Sequence, residues 1–249
     1  MTSTHSLILF LAGGLAGFID SIAGGGGLIT VPTVALFLGM GPETIGTNKI
    51  AGTISALVAL TVYSLQGHMN WKKGWKFTLC IVLGSYLGST LNPYLPLSIF
   101  KALLLLTCPP LLWIIWKKDL WIEKEKGPLS VKRERFMIPL LGLACGFYDG
   151  VWGPGGGTFM FLSLFFVAQL PLFTALAISK LANMLSAGVA LLNFSIHGYV
   201  HWDVGLWLST GVVLGSFLGS TLASKKAGRI IRPTLVIVVF LLCGKVLFG

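Results

Sequence analysis

Apolar residues occur along the chain in blocks of about 11 to 20 residues, and short polar stretches separate the blocks. A helix that spans a bilayer needs about 20 apolar residues, whereas a barrel strand shows about 10 residues of alternating polarity. The blocks do not alternate, so the pattern predicts an all-α, polytopic integral membrane protein. The blocks lie at about 7–23, 28–38, 50–66, 75–91, 97–116, 136–151, 157–170, 180–196, 204–222 and 233–248.

The second half of the chain repeats the first half. At an offset of 131 residues, IVLGSYLGSTL (81–91) aligns with VVLGSFLGSTL (212–222), and LQGHMNW (65–71) aligns with IHGYVHW (196–202). At an offset of 129 residues, GFIDSIAGGGG (17–27) aligns with GFYDGVWGPGG (146–156). Such periodicity indicates two copies of one unit. The sequence predicts a first membrane repeat at 1–116, a basic linker at 117–135 and a second membrane repeat at 136–249, which together form one integral domain.

The composition agrees with a membrane protein. Of 249 residues, 55% are hydrophobic and 10% are charged, whereas soluble domains have about 25% charged residues. The net charge of +10 does not indicate nucleic-acid binding, because the basic residues cluster in a few loops between apolar blocks. The four cysteines lie singly inside apolar segments and are interpreted as small hydrophobic residues.

Basic loops predict the orientation in the membrane, because cytoplasmic loops are enriched in Lys and Arg. The linker carries seven of these residues, and the other basic loops hold Lys72, Lys73, Lys76, Lys225, Lys226, Arg229 and Arg232. Five segments per copy place the second copy upside down relative to the first. We therefore expect an inverted repeat in the cell inner membrane, with both termini outside and the linker in the cytoplasm.

The second apolar segment of each copy is too short to span a bilayer and directly follows a glycine cluster. Glycine and proline disfavour helix, so the chain is expected to break there in both copies. Broken backbone at membrane depth occurs where it is buried in protein or lines a cavity, and a helix N-terminus favours anions. These glycines are the first candidate substrate-binding residues: Gly24, Gly25, Gly26, Gly27, Gly153, Gly155, Gly156 and Gly157.

Close helix packing is the alternative role for glycines in a membrane protein. We assign that role to the GxxxG pairs Gly84/Gly88 and Gly215/Gly219. A nucleotide-binding role for the glycine clusters is disfavoured, since neither a GxxxxGK[ST] motif nor a βαβ context accompanies them.

Four charged residues inside apolar segments form two repeat-related sets: Asp20 with Asp149, and Lys49 with Lys180. Intramembrane charges are costly and mark functional sites by default. The lysines would attract an anion, and an aspartate that protonates would couple transport to protons. The alternative is a set of buried salt bridges that hold the two copies together.

Neighbouring hydroxyl and amide groups supply further candidate hydrogen-bond donors. Those assigned to substrate binding are Thr47, Asn48, Ser179 and Asn183. No catalytic constellation and no spacing typical of metal ligands is present, so we expect neither an enzyme nor a metal or other cofactor.

The motifs DSIAGGGGLITVP (20–32), GTNK (46–49) and GHMNW (67–71) occur with a degenerate second set, GFYDGVWGPGGG (146–157), SKLAN (179–183) and GYVHW (198–202). Together they resemble the TauE/SafE sulfite exporter family over almost the whole chain. The resemblance implies secondary transport of small anions such as sulfite, sulfonates and other organosulfur anions. Pro154 replaces Gly25 and Ser179 replaces Asn48 between the copies, so the two half-sites are not equivalent.

The leading functional hypothesis is a secondary transporter that works by alternating access at a midplane site formed by the paired glycine-rich breaks. Its partners would be a small inorganic or organic anion, the lipid bilayer and, through Asp20 or Asp149, protons. An anion channel and a transporter of another small anion or of a cation are the alternatives.

Overall fold

A computed structural model describes residues 3–96 and 133–248 of the chain, and all regular structure in these residues is helical. The predicted fifth segment at 97–116 and residues 117–132 of the predicted linker lie outside the described residues. The α-helices are α1 (Ser3–Ala23), α2 (Gly27–Leu38), α3 (Pro42–Leu65), α4 (Trp75–Leu91), α5 (Ile138–Val151), α6 (Gly156–Leu162), α7 (Leu172–Ile196) and α8 (Trp202–Phe248). A 3₁₀ turn follows α4 at Asn92–Tyr94, and π-helical turns precede α5 at Arg133–Met137 and follow α6 at Ser163–Val167.

The described helices form a bundle with an apolar outer surface. By length and composition, α1, α3, α7 and the first part of α8 (Trp202–Lys225) are able to cross a membrane. Leucines on the outer faces of α4 and α8 are more than half exposed, for example Leu83, Leu87 and Leu218. Large contiguous apolar surfaces are rare on soluble proteins. The fold is therefore that of a multi-pass membrane protein.

Helices α3 and α7 pack against each other and run in opposite directions. The start of α3 lies beside the loop that follows α7, where the backbone N–H of His201 donates to Thr47 Oγ1 at 2.9 Å. The start of α7 lies beside the loop that follows α3, where the rings of His68 and Phe173 stack with their centroids 4.3 Å apart. We call these two poles of the bundle the α3 end and the α7 end.

Helices α1 and α2 form a helical hairpin, the first hairpin, which reaches into the bundle from the α3 end. The ring of His5, near the start of α1, contacts the ring of Phe37, near the end of α2, at a centroid distance of 5.2 Å. Helix α2 then leads into α3 through a short connection. The open side of the first hairpin therefore lies where α3 begins.

Helices α5 and α6, with the π-helical turn that follows α6, form the second hairpin. Its two arms meet where Cys145 Sγ lies 3.6 Å from Ser163 Oγ, and the second arm leads into the start of α7. The two hairpins therefore reach into the bundle from opposite ends. The short second segments do not cross the bundle alone, because each folds back along the helix before it.

Small residues allow the hairpins to pack closely on long helices: α1 packs along α8, and α5 packs along α4. A Cβ added at Gly215 would lie 1.9 Å from the carbonyl oxygen of Gly14, and one at Gly84 would lie 2.2 Å from that of Leu143. Real side chains cannot approach backbone this closely. The packing role predicted for the GxxxG pairs is therefore confirmed.

Three predicted segment boundaries are wrong. Helices α3 and α7 begin at Pro42 and Leu172, about eight residues before the predicted apolar starts at 50 and 180, because polar residues continue the helix inside the bundle. The predicted separate segments at 204–222 and 233–248 form the single helix α8. Residues 223–232 contain good helix formers such as Ala, Lys and Arg, and Pro233 lies inside the helix without ending it.

Candidate functional site

The tips of the two hairpins meet inside the bundle. The hydroxyl of Thr158 donates to the carbonyl oxygen of Ala23 at 3.0 Å. A Cβ added at Gly24 would lie 2.4 Å from the backbone nitrogen of Thr158, and one added at Gly27 would lie 3.1 Å from Cα of Pro154. The backbones of the two tips are therefore in direct contact, and in this conformation no solute fits between them.

The glycines at both tips are required by backbone conformation as well as by space. Gly24 and Gly25 have φ angles of +79° and +95°, and Gly153 and Gly155 have φ angles of +96° and +82°. Residues with a side chain rarely adopt such angles. The prediction that the chain breaks helix at both glycine clusters is therefore confirmed.

Each tip carries a buried ion pair with the long central helix of the other copy. At the first tip, Lys180 of α7 lies 3.7 Å from Asp20 Oδ2 and donates to the backbone carbonyl oxygen of Asp20. At the second tip, Lys49 of α3 lies 3.0 Å from Asp149 Oδ2 and donates to the backbone carbonyl oxygen of Asp149. Each lysine thus also binds a carbonyl near the C-terminus of a hairpin helix, where the helix dipole favours a cation.

Both ion pairs lie in the interior of the bundle. With a rise of 1.5 Å per residue, Lys49 lies about 10 Å from the start of α3 and Lys180 about 12 Å from the start of α7. Because α3 and α7 are antiparallel, these depths are measured from opposite ends. Lys49 and Lys180 are 2% and 1% exposed, and Asp20 and Asp149 are 7% and 3% exposed.

A serine hydroxyl completes the surroundings of each carboxylate. Ser55 donates to Asp20 Oδ2 at 2.7 Å, and Ser186 donates to Asp149 Oδ2 at 2.6 Å. At the first tip, the backbone N–H of Gly26, just before α2, also donates to Asp20 Oδ1 at 3.1 Å. The donors that an oxyanion would use at the N-terminus of α2 are therefore occupied by the carboxylate of the chain itself.

Comparisons with known proteins show the family of the chain. The profile of the family described as "Sulfite exporter TauE/SafE" matches residues 9–246. The chain belongs to the TauE/SafE family.

Three relatives match this TauE/SafE protein over most of both chains. A "Probable membrane transporter protein ORF9" of Sinorhizobium sp is 38% identical over 92% of this chain and 87% of its own length. A "Probable membrane transporter protein" of Haemophilus influenzae is 35% identical, with coverage of 97% and 94%. "Probable membrane transporter protein YfcA" of Escherichia coli K12 is 34% identical, with coverage of 97% and 89%.

These relatives are described as membrane transporters and not as enzymes, as the sequence predicted for this chain. Family membership implies a transported small solute and a membrane. No solved structure gives a significant match.

The remaining predicted site residues lie at different distances from the tips. Asn183 lies at the second tip, with its Nδ2 3.3 Å from a Cβ that would be added at Gly157. Thr47 is bound to the loop after α7 through His201. Ser179 donates to the carbonyl oxygen of Leu176 in its own helix at 2.7 Å. In this conformation Thr47 therefore joins α3 to the loop after α7, whereas Ser179 is bonded within its own helix.

Asn48 lies beside the carboxylate of Asp20 in a cavity of about 30 Å³. Its side chain is buried, and its Oδ1 has no hydrogen-bond partner. A cavity needs about 10–15 Å³ to hold one water molecule, so one or two water molecules fit here. The cavity is lined by Ala16, Gly17, Asp20, Gly26, Gly27, Thr30, Asn48, Ala51, Gly52, Ser55 and Val212.

A larger cavity of about 280 Å³ lies at the α3 end, against the second hairpin. It contains Trp152, which directly precedes Gly153 in the chain, and Asn92, whose Nδ2 donates to the carbonyl oxygen of Val151 at 2.6 Å. The complete lining is Met40, Gly41, Pro42, Ile45, Asn92, Pro93, Leu95, Pro96 and Trp152. This volume is sufficient for a small solute beside the second tip.

Sequence reasoning did not single out Ser55 or Thr158. Ser55 could have been predicted from the repeat, because Ser55 and Ser186 are 131 residues apart, as are Lys49 and Lys180. Thr158 gave no comparable signal, since its role depends on contact with Ala23 of the opposite tip.

Proposed function

We propose that this protein is a secondary transporter of a small sulfur-containing anion, such as sulfite, a sulfonate or another organosulfur anion. The proposed site lies at the midplane, where the tips of the two hairpins meet. Transport proceeds by alternating access, in which the tips separate and expose the site to one side of the membrane at a time. The protein would reside in the cell inner membrane, with the N-terminus outside and the linker 117–135 in the cytoplasm.

The observation that carries this proposal is the contact of two broken helices deep in an apolar bundle, each beside a buried lysine–aspartate pair. Unpaired backbone and buried charges are costly in a membrane interior and persist where they line a site. In secondary transporters, discontinuous helices at the interface between repeats form the substrate site. Here, the two broken hairpins contact the central helices α3 and α7 through the buried lysine–aspartate pairs, which supports this proposal.

Electrostatics favour an anion over a cation at the first tip. The ammonium of Lys180, the hydroxyl of Ser55 and the N–H of Gly26 all face one position, which the Asp20 carboxylate occupies. An oxyanion that replaced this carboxylate would receive the same donors, together with the positive end of the α2 dipole. A cation at that position would face Lys180 and a helix N-terminus, both of which repel it.

The substrate class rests on the family description, "Sulfite exporter TauE/SafE", together with the chemistry of the site. Sulfite and sulfonates present three oxygens around one sulfur atom, and such a group takes donors from several directions. Lysine, hydroxyl and backbone N–H donors arranged around one point suit this geometry. Carboxylates would use fewer of these donors at once.

The inverted relation of the two copies is part of the proposal, and reciprocal contacts support it. Each lysine binds the opposite hairpin, α1 packs on α8 as α5 packs on α4, and α3 packs on α7 in antiparallel fashion. Each hairpin returns to the end from which it came, and the first hairpin enters the bundle from the α3 end whereas the second enters from the α7 end. The two copies would then lie upside down relative to each other, with repeats at 1–116 and 136–249.

Counterflow in proteoliposomes tests the function. Vesicles loaded with unlabelled sulfite should accumulate external [³⁵S]sulfite transiently, and sulfonates should compete, whereas sodium and potassium should not. Unlabelled substrate inside the vesicles stimulates uptake by a carrier, because the carrier's site returns to the outside with substrate bound. Unitary currents in planar bilayers, with no counterflow, would show a channel instead. Absence of counterflow with sulfite, sulfate, thiosulfate and sulfoacetate would overturn the proposed substrate class.

A further inference from the structure

The carboxylate of Asp20 has the contacts of a bound anion. It accepts hydrogen bonds from the backbone N–H of Gly26 at 3.1 Å and from the hydroxyl of Ser55 at 2.7 Å, and it faces the Lys180 ammonium at 3.7 Å. These are the donors that the proposed function assigns to the transported anion. As long as Asp20 is ionised, it competes with that anion for one position.

The environment of Asp20 is suited to a change of protonation. Its carboxylate borders the cavity of about 30 Å³, which has room for one or two water molecules. The unpartnered Oδ1 of Asn48 is a buried acceptor beside this cavity, and an unpaired buried acceptor points to an occupant that donates hydrogen bonds. Water there would connect Asp20 to a proton source.

A hydroxyl chain extends from the same carboxylate. Ser55 Oγ, which donates to Asp20, lies 2.9 Å from the hydroxyl oxygen of Ser216 on α8. Ser216 in turn donates to the carbonyl oxygen of Gly17 at 3.3 Å. Hydroxyl groups both donate and accept hydrogen bonds, so this chain can reorganise when the carboxylate gains a proton.

Asp149 is held differently, although it occupies the repeat-related position. Lys49 donates to its carboxylate at 3.0 Å, which is 0.7 Å closer than the distance between Lys180 and Asp20. Ser186 donates to the same oxygen at 2.6 Å. The hydroxyl of Ser85, next to Ser186, donates to a backbone carbonyl oxygen, whereas its counterpart Ser216 contacts the hydroxyl of Ser55. The cation and the hydroxyl donor of Asp149 thus lie on one oxygen, and both are closer than their counterparts at Asp20.

We propose that Asp20, and not Asp149, is the carboxyl group that couples transport to protons: its ionised side chain occupies the anion position at the N-terminus of α2, and protonation vacates that position. This inference rests on the proposed function. One proton is taken from water onto Asp20 Oδ, Lys180 remains an ammonium, and the anion replaces the lost negative charge. A monovalent anion would therefore move together with one proton, without net charge.

The groups that face Asp20 set the direction of the pH effect. Lys180 on α7 carries the facing positive charge, and Tyr63 on α3 is the nearby titratable hydroxyl, which donates to the carbonyl oxygen of Ser21 at 2.8 Å. Either the Asp20 carboxylate or a bound anion can balance the charge of Lys180 at this position. Anion binding and proton binding are therefore each favoured by the other, and anion binding should strengthen as the pH falls.

Infrared spectroscopy tests the assignment without a substrate. The protein in detergent is titrated from about pH 8 to about pH 4, and the carbonyl stretch of protonated carboxyl groups is recorded by attenuated total reflection. We expect wild type to show a titrating band that is missing from Asp20→Asn. A band of wild-type amplitude in Asp20→Asn would overturn the proposal, as would an Asp20 that stays ionised over the whole range.

Two serine variants provide a matched pair that keeps both charges. Ser55→Ala removes a hydrogen bond from ionised Asp20, so the titration should move to higher pH by about one unit. Ser186→Ala removes the corresponding bond from Asp149 and should leave the titration in place. The opposite assignment follows if Ser186→Ala moves the band and Ser55→Ala does not, and that result would overturn the proposal even if Asp20→Asn failed to fold.

Transport then separates this inference from the proposed function. With [³⁵S]sulfite as the probe, Asp20→Asn should lose uptake driven by an imposed pH gradient, because the amide cannot take up the proton. Uptake by Asp20→Asn that still follows the pH gradient would contradict the role of Asp20 while leaving the transporter intact. Absence of counterflow in wild type would contradict the transporter, and the infrared titration would still decide whether Asp20 titrates.

Discussion

Removal of one charge from the tighter ion pair should destabilise the protein strongly. The pair between Lys49 and Asp149 is 3.0 Å long, and the side chains are 2% and 5% exposed. Asp149→Asn leaves the Lys49 ammonium buried without its counter-ion, and such a change costs about 3–5 kcal/mol. The free energy of unfolding should therefore fall by about that amount.

The looser pair supplies the comparison. With an effective dielectric constant of about 20, charges at the two observed distances attract by about 5.5 and about 4.5 kcal/mol. Asp20→Asn should thus cost about 1 kcal/mol less than Asp149→Asn, and water in the cavity beside Asp20 should reduce the loss further. Unfolding by dodecyl sulfate in mixed micelles, followed by circular dichroism, measures both free energies.

A double variant tests the physical reasoning behind these values. Combining Lys49→Met with Asp149→Asn removes both charges, so no uncompensated buried charge remains. The double variant should be more stable than Asp149→Asn alone. If the two single losses simply add, or if Asp20→Asn is the more destabilising of the aspartate variants, the account of the ion pairs is wrong.

Further variants test the hairpin tips, the helix packing and one partly buried histidine. Gly24→Ala forces a left-handed residue against the opposite tip and should lower the thermal midpoint by several degrees, whereas Gly188→Ala, with its nearest atom 3.9 Å away, should not. Gly215→Ala should separate α1 from α8 and reduce the yield of folded protein. Gly14→Ala should be tolerated, because the atom nearest to the added Cβ is 3.8 Å away. Equal yields of the two variants would contradict the close packing of α1 on α8. Burial lowers the pKa of His68, so the folded state favours its neutral form. The stabilising contribution of His68 should therefore be lost as the pH falls below about 6.5. His68→Phe should make the thermal midpoint less dependent on pH below about 6.5.

The repeat made the main elements of the site predictable from the sequence. Glycine clusters and charged residues recur at corresponding positions of the two halves, and both signals are local. They identified Gly24, Asp20 and Lys180, which the structure brings together at one tip. Composition and apolar blocks were sufficient for the all-helical membrane fold.

The sequence pattern could not show how the chain continues after each break. Hydropathy gives the length of the segment after Gly27 and not its direction, so the hairpins followed only from contacts such as that between His5 and Phe37. Contacts between the tips, such as Thr158 with Ala23, depend on the arrangement of both copies. The unequal distances of the two ion pairs, 3.0 and 3.7 Å, also had no counterpart in the matching motifs.

The start of α3 shows a second limit of hydropathy. Residues 42–49 are too polar to count as a membrane segment, yet they are helical, because Pro42 is a favourable first residue and the neighbouring helices bury their polar groups. Lys49 therefore lies inside the helix and not at its start, which sets the depth of its ion pair.

Cross-linking of the hairpin tips tests the central claim most directly. In a cysteine-free background, Ala23→Cys and Thr158→Cys place thiols at the contact between the tips, and a short bifunctional thiol reagent joins them. If transport requires the tips to separate, the cross-link should abolish sulfite counterflow in proteoliposomes, and a reducible linker should restore it on cleavage. Counterflow at the rate of the unlinked variant, with the cross-link complete, would contradict alternating access at the tips.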